Sequence, residues 1–304
     1  MSEVPLEDRA GLARHLDSWS PAPVTVRDVI AAAPVAALGA VLDQETQEKT
    51  VAGDGEELPP LWHWLHFLDW PAQSELGADG HPAHGHFLPP VPDRRRMFAG
   101  GRAEFTAPLR VGAPADRTSS LAKTEIKQGK TGEMAFVTVR HEISQGGQVC
   151  VVEEQDLVYR SGEGERPRAD IALDLGDADA AAVDAPWQLA VRPSPTLLFR
   201  YSALTANAHR IHYDEPYARD VEGYPGLVVH GPLLVMLMLE LARHNAPLRR
   251  VRTLTYRLRK PVFAGEHVLA LGAPASESEG AGPAQLRIAT RRDERHATAE
   301  VSFA

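Results

Sequence analysis

Polar and titratable side chains are concentrated in one short stretch of the sequence, residues 201–214. They are Tyr201, Ser202, Thr205, Asn207, His209, His212, Tyr213 and Asp214. A histidine exchanges protons near neutral pH, because its unperturbed pKa is about 6.5. The stretch ends shortly before an apolar segment that begins at His230-Gly231, and the first turn of a buried helix offers free backbone N–H donors. This combination favours acid–base chemistry in which N–H groups stabilise a developing negative charge.

The elements that would hold this stretch occur twice along the chain. An apolar segment at 58–68 is followed by Phe105 to Gly112, and the apolar segment 230–241 is followed by Leu258 to Gly265, with Pro and Gly in the same register. Residues 230–245 are apolar nearly all round, which predicts a helix buried on most sides. Alternating, β-branched runs predict strands at 135–143, 148–159, 285–290 and 296–303. The pattern predicts an α+β double hot-dog, with two antiparallel sheets each wrapped on a central helix.

The length of 304 residues fits two such units. We predict a first hot-dog over 1–160, a Gly/Ala/Asp/Pro-rich linker over 161–186 and a second hot-dog over 187–304. The first half contains an additional loop, 70–92, and loops of this length are often functional lids. Its three histidines, His81, His84 and His86, have no accompanying Cys or carboxylate cluster. We therefore expect them to be exposed or near the substrate entrance, and we expect neither a metal nor a cofactor.

Composition restricts the partners and the compartment. The net charge of −9 and the pI of about 5.8 argue against nucleic acid and anionic membrane as partners. Cys150 is the only cysteine, which excludes an intrachain disulfide and a Cys-based zinc site. The N-terminus lacks the apolar core of a secretory signal, and the longest apolar run, 233–239, is too short to span a bilayer, so we expect a cytoplasmic protein. The absence of P-loop, dinucleotide-binding and nucleophile-elbow motifs disfavours nucleotide, nicotinamide and serine esterase chemistry.

Basic residues are concentrated in one segment despite the overall negative charge. Seven occur without an Asp or Glu between them: Arg243, Arg249, Arg250, Arg252, Arg257, Arg259 and Lys260. The segment either receives the phosphates of coenzyme A or is a solvated basic edge.

The stretch 201–214 resembles the (R)-hydratase signature of the MaoC-like family. The matching positions are Tyr201, Ser202, Thr205, Ile211, His212 and Asp214. Ala206, Asn207, His209 and Arg210 stand where the family signature has Gly, Asp, Asn and Pro. This variant, with its GYPGLVVHG sequence at 223–231, is similar to the subgroup of type 2 hydroxyacyl-thioester dehydratases and mesaconyl-C4-CoA hydratases. The first half is similar to the degenerate N-terminal hot-dog of the same subgroup.

The resemblance implies a hydro-lyase that adds water reversibly to a 2-enoyl-CoA. His212 is then the general base and acid, because the amide of Asn207 orients water without exchanging a proton. Gly231 either donates its N–H to the thioester oxygen or is a turn glycine, and Asp214 either orients His212 or bonds backbone. Substrate binding is predicted for Tyr201, Ser202, His230, Asp214 and Arg210. A free substrate carboxylate requires an arginine, and the sequence does not separate Arg200, Arg210 and Arg94 to Arg96.

The sequence leaves several hypotheses about the function open. The resemblance favours a short, branched, dicarboxylic ester such as mesaconyl-C4-CoA, hydrated to citramalyl-CoA. The alternatives are dehydration of (R)-3-hydroxyacyl thioesters in fatty-acid or polyketide metabolism, a hot-dog thioesterase, and a non-catalytic acyl-CoA-binding subunit. A chain with two hot-dogs already contains the pairing that single hot-dogs obtain by dimerising, so monomer and homodimer both stay open.

Overall fold

The computed structural model describes residues 11–44, 53–129, 132–161, 170–173, 175–176, 185–274 and 282–304. Within these residues, one antiparallel sheet contains ten strands. The strands are β1 (Val24–Val29), β2 (Arg95–Phe105), β3 (Pro114–Gly129), β4 (Gly132–Gln145), β5 (Gln148–Arg160), β6 (Trp187–Val191), β7 (Val251–Leu258), β8 (Val268–Pro274), β9 (Ala284–Thr290) and β10 (Asp293–Phe303). Their order is β1-β3-β4-β5-β2-β7-β10-β9-β8-β6, so the second five repeat the first five in reverse.

The two five-stranded halves join edge to edge where β2 pairs with β7. Gly100 lies opposite Arg257, and Gly101 lies opposite Tyr256. A Cβ on Gly100 would stand 2.5 Å from the carbonyl oxygen of Tyr256, so only glycine allows the two strands to approach at this point. The predicted pair of sheets is thus one continuous sheet, because the edge strand of each half is covered by the other.

The helix predicted in the second half is confirmed. Helix α4 (Gly231–Asn245) packs against β6, β8, β9 and β10, and its residues from Leu233 to Ala242 are buried. Pro232 is accommodated in the first turn, where a backbone N–H has no intrahelical acceptor. A helix wrapped by an antiparallel sheet is the hot-dog arrangement, and the predicted strands correspond to β4, β5, β9 and β10.

The first half departs from the predicted repeat. Residues 58–68 form a single 3-10 turn, Trp62–Leu65, where a central helix was predicted, and that prediction is wrong. Two consecutive prolines, Pro59 and Pro60, precede the turn, and Leu61 and Phe67 have positive φ angles of 67° and 56°, so an α-helix does not extend through the segment. A short helix, α1 (Ala13–Leu16), precedes β1, and the helix α2 (Ala32–Val41) lies between β1 and β2. The sequence pattern revealed neither.

The glycines of the predicted repeat occupy equivalent turns, one after β2 and one after β7. Gly112 follows β2 with φ of 85°, and Gly265 follows β7 with φ of 84°. The predicted linker, 161–186, lies largely outside the described residues, so the domain boundaries stay predictions. No helix in the described ranges is long and apolar enough to cross a bilayer.

Candidate active site

The polar stretch 201–214 begins in the last turn of one helix of the second half and continues towards the next helix. Helix α3 (Pro195–Leu204) is followed by a 3-10 turn, Arg210–His212, and a π-helical turn, Tyr217–Val221, before the chain enters α4. Ser194 begins α3 by accepting the N–H of Leu197 at 3.1 Å. The chain then returns so that the N–H of Val228 donates to the carbonyl of Ile211 at 2.9 Å.

This return fixes the orientation and tautomer of His212. Its Nδ1 lies 2.7 Å from the carbonyl oxygen of Val228, which accepts and cannot donate, so Nδ1 carries the proton. Burial lowers the pKa of His212 to about 4, although the hydrogen bond to Val228 acts in the opposite direction. His212 is therefore neutral at pH 7, with an unprotonated Nε2, which is the form a general base requires.

His230 packs face to face against His212. The two ring centroids are 3.6 Å apart, and the rings are inclined by 20°. Nε2 of His230 is hydrogen bonded to Oγ of Ser202 at 2.8 Å, and the ring of Tyr201 meets it edge-on at 4.9 Å. Burial lowers the pKa of His230 well below 6.5, and His212 adds to this effect. Ser202 and Tyr201 thus hold the neutral ring on which His212 rests.

Gly231 is the first residue of α4 and lines the same cavity as His212. A Cβ at this position would overlap the end of the Leu258 side chain on β7, so glycine lets the helix start close to the sheet. The first N–H groups of a helix have no intrahelical acceptor, and the helix dipole makes this end partially positive. The N–H of Gly231 therefore meets the chemical requirement for an oxyanion donor.

Asn207 and His209 complete the second-half side of the site. Oδ1 of Asn207 accepts the backbone N–H of His209 at 3.0 Å, so the side-chain NH₂ of Asn207 is the group that it offers the cavity. The ring of His209 meets that of His212 edge-on, with 5.5 Å between centroids. Burial lowers the pKa of His209 to about 2, and the neighbouring His81 and His212 contribute further.

The additional loop of the first half docks on this segment. Two hydrogen bonds fasten it: Arg210 donates its backbone N–H to Asp79 at 2.9 Å and its Nη1 to Ala78 at 3.0 Å. Gly80 lies so close to Ala208 that a Cβ would overlap the Ala208 carbonyl oxygen. The ring of His81 packs on His209 with 4.1 Å between centroids. The first half therefore supplies one wall of the site.

Asp79, His81 and His209 form the one cluster of three metal-type donors found in the described part of the chain, with one atom of each within 4.8 Å of the others. Oδ2 of Asp79 is 3.1 Å from Nδ1 of His81, and Oδ1 accepts the His81 backbone N–H at 3.0 Å. Burial alone would raise the pKa of Asp79, but these bonds from His81 lower it to about 2. The carboxylate is thus already satisfied by the protein, and its evident task is to orient His81.

These side chains surround an open cavity of about 2220 Å³ lined by both halves of the chain. The second half contributes Asn207, His209, His212 and Gly231, and the first half contributes the 76–99 segment and the sheet residue Tyr159.

The family follows from comparison with known proteins. The chain matches the family model "Hydroxyacyl-thioester dehydratase type 2" over residues 61–264, more than half of its length. The chain belongs to this family. It is 45% identical over 246 residues to the mesaconyl-C(4)-CoA hydratase of Chloroflexus aurantiacus, with 81% of this chain and 84% of that relative aligned. The mitochondrial type 2 hydroxyacyl-thioester dehydratase of Schizosaccharomyces pombe is 28% identical over 272 residues, covering 81% and 88%.

Solved structures share the fold. A MaoC-like dehydratase of Phytophthora capsici superposes with a TM-score of 0.66 at 13% identity, covering 97% of this chain and 99% of that one. HtdX of Mycobacterium tuberculosis superposes with a TM-score of 0.59 at 18% identity, covering 93% and 100%. The hot-dog fold of this type 2 dehydratase family member is thereby established, and the protein is an enzyme of the hydro-lyase class.

Two residues predicted to bind substrate have other contacts. Nη2 of Arg210 donates to Oδ2 of Asp214 at 2.8 Å, and the guanidinium lies 4.0 Å from the ring centroid of Tyr217. Oδ1 of Asp214 accepts the backbone N–H of Tyr217 at 3.1 Å. Neither Arg210 nor Asp214 lines the cavity. These contacts hold the π-helical turn and the docked loop, and substrate binding by Arg210 or Asp214 stays a prediction.

Tyr201 and Ser202, also predicted to bind substrate, are buried and line the cavity. Tyr201 is 1% exposed, and its hydroxyl lies 3.6 Å from Sδ of Met236 on α4. Ser202 is 7% exposed and uses its hydroxyl on His230. Their main contacts position His230, and direct substrate contact by either stays a prediction.

The site also contains residues for which the sequence predicted no role. His209 occupies a position where the family signature has Asn, and His81 and Asp79 come from the loop of the other half. The histidine-rich sequence of that loop was the available signal. All three of its histidines line the cavity; His81 is half-buried there, whereas His84 and His86 are exposed.

Proposed function

We propose that this protein hydrates mesaconyl-C4-CoA reversibly to citramalyl-CoA. The relative from Chloroflexus aurantiacus named for this substrate supports the proposal, because it aligns with most of both chains at 45% identity. The substrate carries a thioester at one end of a C=C bond and a free carboxylate at the other. The hydroxyl of the product stands on the carbon that bears the methyl group and the carboxylate.

The tethered, neutral His212 is the observation that carries the mechanism. Its Nδ1–H is committed to Val228, so Nε2 is the nitrogen available to take a proton from water. As that proton leaves, the water oxygen bonds to the β-carbon, and the C=C electron pair moves towards the thioester to form an enolate. Asn207 positions the water through its side-chain amide, which donates hydrogen bonds without exchanging protons.

The N-terminus of α4 stabilises the enolate in this mechanism. The negative charge develops on the thioester oxygen, and the N–H of Gly231 donates to it. The imidazolium of His212 then returns its proton to the α-carbon, which completes the addition of water and restores the neutral base. Burial of His212 disfavours the imidazolium, so the proton is returned readily.

A second candidate substrate class is the (R)-3-hydroxyacyl thioesters. The matched family model is described as a dehydratase of hydroxyacyl thioesters, and the cavity of about 2220 Å³ exceeds what a five-carbon acyl group fills. The same groups would then act in reverse, with His212 removing the α-proton and returning it to the departing hydroxyl.

Loss of absorbance at the enoyl-thioester band tests the proposed substrate. Purified protein is assayed with mesaconyl-C4-CoA, crotonyl-CoA and longer 2-enoyl-CoA esters, and free thiol is measured in parallel. We expect the highest kcat/KM with mesaconyl-C4-CoA and no thiol release. Preference for long, unbranched esters would transfer the assignment to the second candidate, and thiol release would indicate a thioesterase.

A further inference from the structure

The proposed substrate contains a free carboxylate that needs a binding group, and the following inference rests on the proposed function. That carboxylate is attached to the carbon that receives water. Its counter-charge must therefore lie next to His212, within the cavity and not at its entrance. A carboxylate removed from bulk water is best matched by an arginine that has no acidic partner of its own.

Four arginines that the sequence left open are already engaged or lie elsewhere. Arg94 donates to the backbone carbonyls of the loop, two of them at 3.0 Å and 3.1 Å. Arg95 already has an interaction partner. Arg210 is paired with Asp214, and Arg200 is exposed outside the cavity lining.

Of the other half-buried arginines that line the cavity, Arg160 already has interaction partners, which leaves Arg96 and Arg117. Burial lowers the pKa of Arg117, but the carboxylates of Glu153, Asp69 and Asp28 act in the opposite direction, so its charge is balanced by acids. The side chain of Arg96 forms no hydrogen bond or ion pair with any residue that the structure describes. The guanidinium of Arg117 lies 5.3 Å from the ring centroid of Phe67, and three acids act on its charge, so Arg96 is the better candidate for a substrate carboxylate.

Arg96 lies in the wall of the same cavity as the histidines. His81, His209 and His212 all line this cavity with it. After the larger effect of burial, the charge of Arg96 contributes to the low pKa values of His81 and His209. Arg96 therefore lines the cavity in which the carboxylate on the β-carbon would lie.

Tyr159 supplies a second polar group at the same place. Arg96 and Tyr159 are direct partners across β2 and β5, and directly opposed residues share one face of a sheet. Tyr159 is 0% exposed and lines the cavity, yet its buried hydroxyl has no hydrogen-bond partner among the described residues. An unpaired buried hydroxyl is costly, so a ligand that accepts from it is favoured.

We propose that Arg96 and the hydroxyl of Tyr159 form the subsite for the free carboxylate of a dicarboxylic acyl-CoA. The guanidinium donates to the carboxylate oxygens, and the tyrosine hydroxyl donates to one of them. The carboxylate is then held by Arg96 and Tyr159, and the thioester oxygen is held by the N–H of Gly231. These two contacts fix the C=C bond that lies between them, so the β-carbon faces the water held by His212 and Asn207. The subsite thereby selects esters with a carboxylate on the β-carbon.

The matched pair of substrates is mesaconyl-C4-CoA and 3-methylcrotonyl-CoA, in which a methyl group replaces the carboxylate. The specificity ratio is the kcat/KM for mesaconyl-C4-CoA divided by the kcat/KM for 3-methylcrotonyl-CoA. We expect Arg96→Gln to lower this ratio by about 100-fold or more, which is the scale of removing a charge-assisted pair. Arg96→Lys keeps the charge and should retain part of the ratio, and Tyr159→Phe should lower it by about 5- to 10-fold. Arg102→Gln is the control, because Arg102 lies on the same strand, outside the cavity, and pairs with Glu154.

A binding measurement separates this proposal from the proposed function. Succinyl-CoA and butyryl-CoA have no C=C bond and therefore cannot be hydrated. Succinyl-CoA ends in a carboxylate where butyryl-CoA ends in a methyl group. We expect calorimetry to show tighter binding of succinyl-CoA to the wild type, and loss of that preference in Arg96→Gln. If this holds while mesaconyl-C4-CoA is not hydrated, the proposed substrate fails and the subsite stands. Equal affinity of the wild type for both esters, or equal weakening of both by Arg96→Gln, overturns the subsite.

Discussion

The rings of His81 and His209 pack with 4.1 Å between their centroids. This contact joins the additional loop of the first half to the polar stretch 201–214 of the second half. Asp79 holds His81 from one side, and the backbone of Arg210 donates to the Asp79 carbonyl from the other. The candidate active site is therefore assembled from both halves, although the residues that we propose as catalytic belong to the second.

Gly80→Ala tests whether the docked loop matters for catalysis. A Cβ at Gly80 would overlap the carbonyl oxygen of Ala208 and separate the two segments. We expect kcat/KM to fall by at least about 10-fold, because displacement of positioning groups by about 1 Å has large effects on rate.

The control for this prediction is Gly55→Ala. Gly55 has a φ of 86°, close to the 89° of Gly80, but a Cβ there meets nothing within 4 Å. Both variants carry the strain of a left-handed alanine, and only Gly80→Ala disturbs the docking. Equal kcat/KM in the two variants would show that the loop contact is unimportant for the reaction.

The free energy of unfolding should decrease as the pH falls from about 6.5 to about 4. Burial lowers the pKa of His66, His141 and His212 to about 4 in the folded protein. The unfolded chain binds protons at its ordinary histidine pKa of about 6.5, so the stabilisation is complete above that pH and is lost below it. Each such histidine contributes a slope of about 1.4 kcal/mol per pH unit once the unfolded chain is protonated.

Denaturant titrations at pH 7.5, 6, 5 and 4.5 measure this slope. His141→Asn removes one of the contributing groups away from the catalytic histidines, so its slope should be shallower by about the share of one histidine. A free energy of unfolding independent of pH between 6.5 and 4.5 would mean that these histidines are not held neutral.

Arg259→Glu tests the binding of coenzyme A at the cavity entrance. Of the seven basic residues in 243–260, Arg243, Arg250, Arg252 and Lys260 pair with acids. Arg259 is exposed and lines the cavity, so the geometry favours it as a phosphate contact. We expect KM for CoA esters to rise about 10-fold with kcat little changed, because a phosphate contact binds ground and transition state equally.

Arg257→Glu is the matched control, because Arg257 is exposed and lies outside the cavity lining. Equal KM values in the two variants would argue against this contact.

The second half of the fold was predictable because its signals are local. The residues 230–245, apolar nearly all round, predict α4, and alternation predicts β9 and β10. Gly112 and Gly265 reveal the repeat through their equivalent places in the sequence. The tautomer of His212 depends instead on Val228, 16 residues away, and could not be read from the sequence.

The first half was predicted less well because tertiary contacts override its local pattern. The apolar composition of 58–68 indicated a helix, yet the segment is a 3-10 turn whose Trp62 and Trp64 donate to the buried Glu240 and Glu153. The contact of His81 with His209 joins residues 128 positions apart, the difference between 209 and 81, which no sequence spacing indicates. The unpaired state of Arg96 likewise became visible only once the partners of Arg94 and Arg210 were known.

The kcat/KM of His212→Ala with the best enoyl-CoA ester tests the central claim most directly. The exposed His244, which lies outside the cavity lining, provides the control variant, His244→Ala. If His212 is the base that takes the proton of the attacking water, its removal lowers kcat/KM by about 100-fold or more, while His244→Ala stays near the wild type. A His212→Ala enzyme that is folded and hydrates the ester at the wild-type rate would contradict the account.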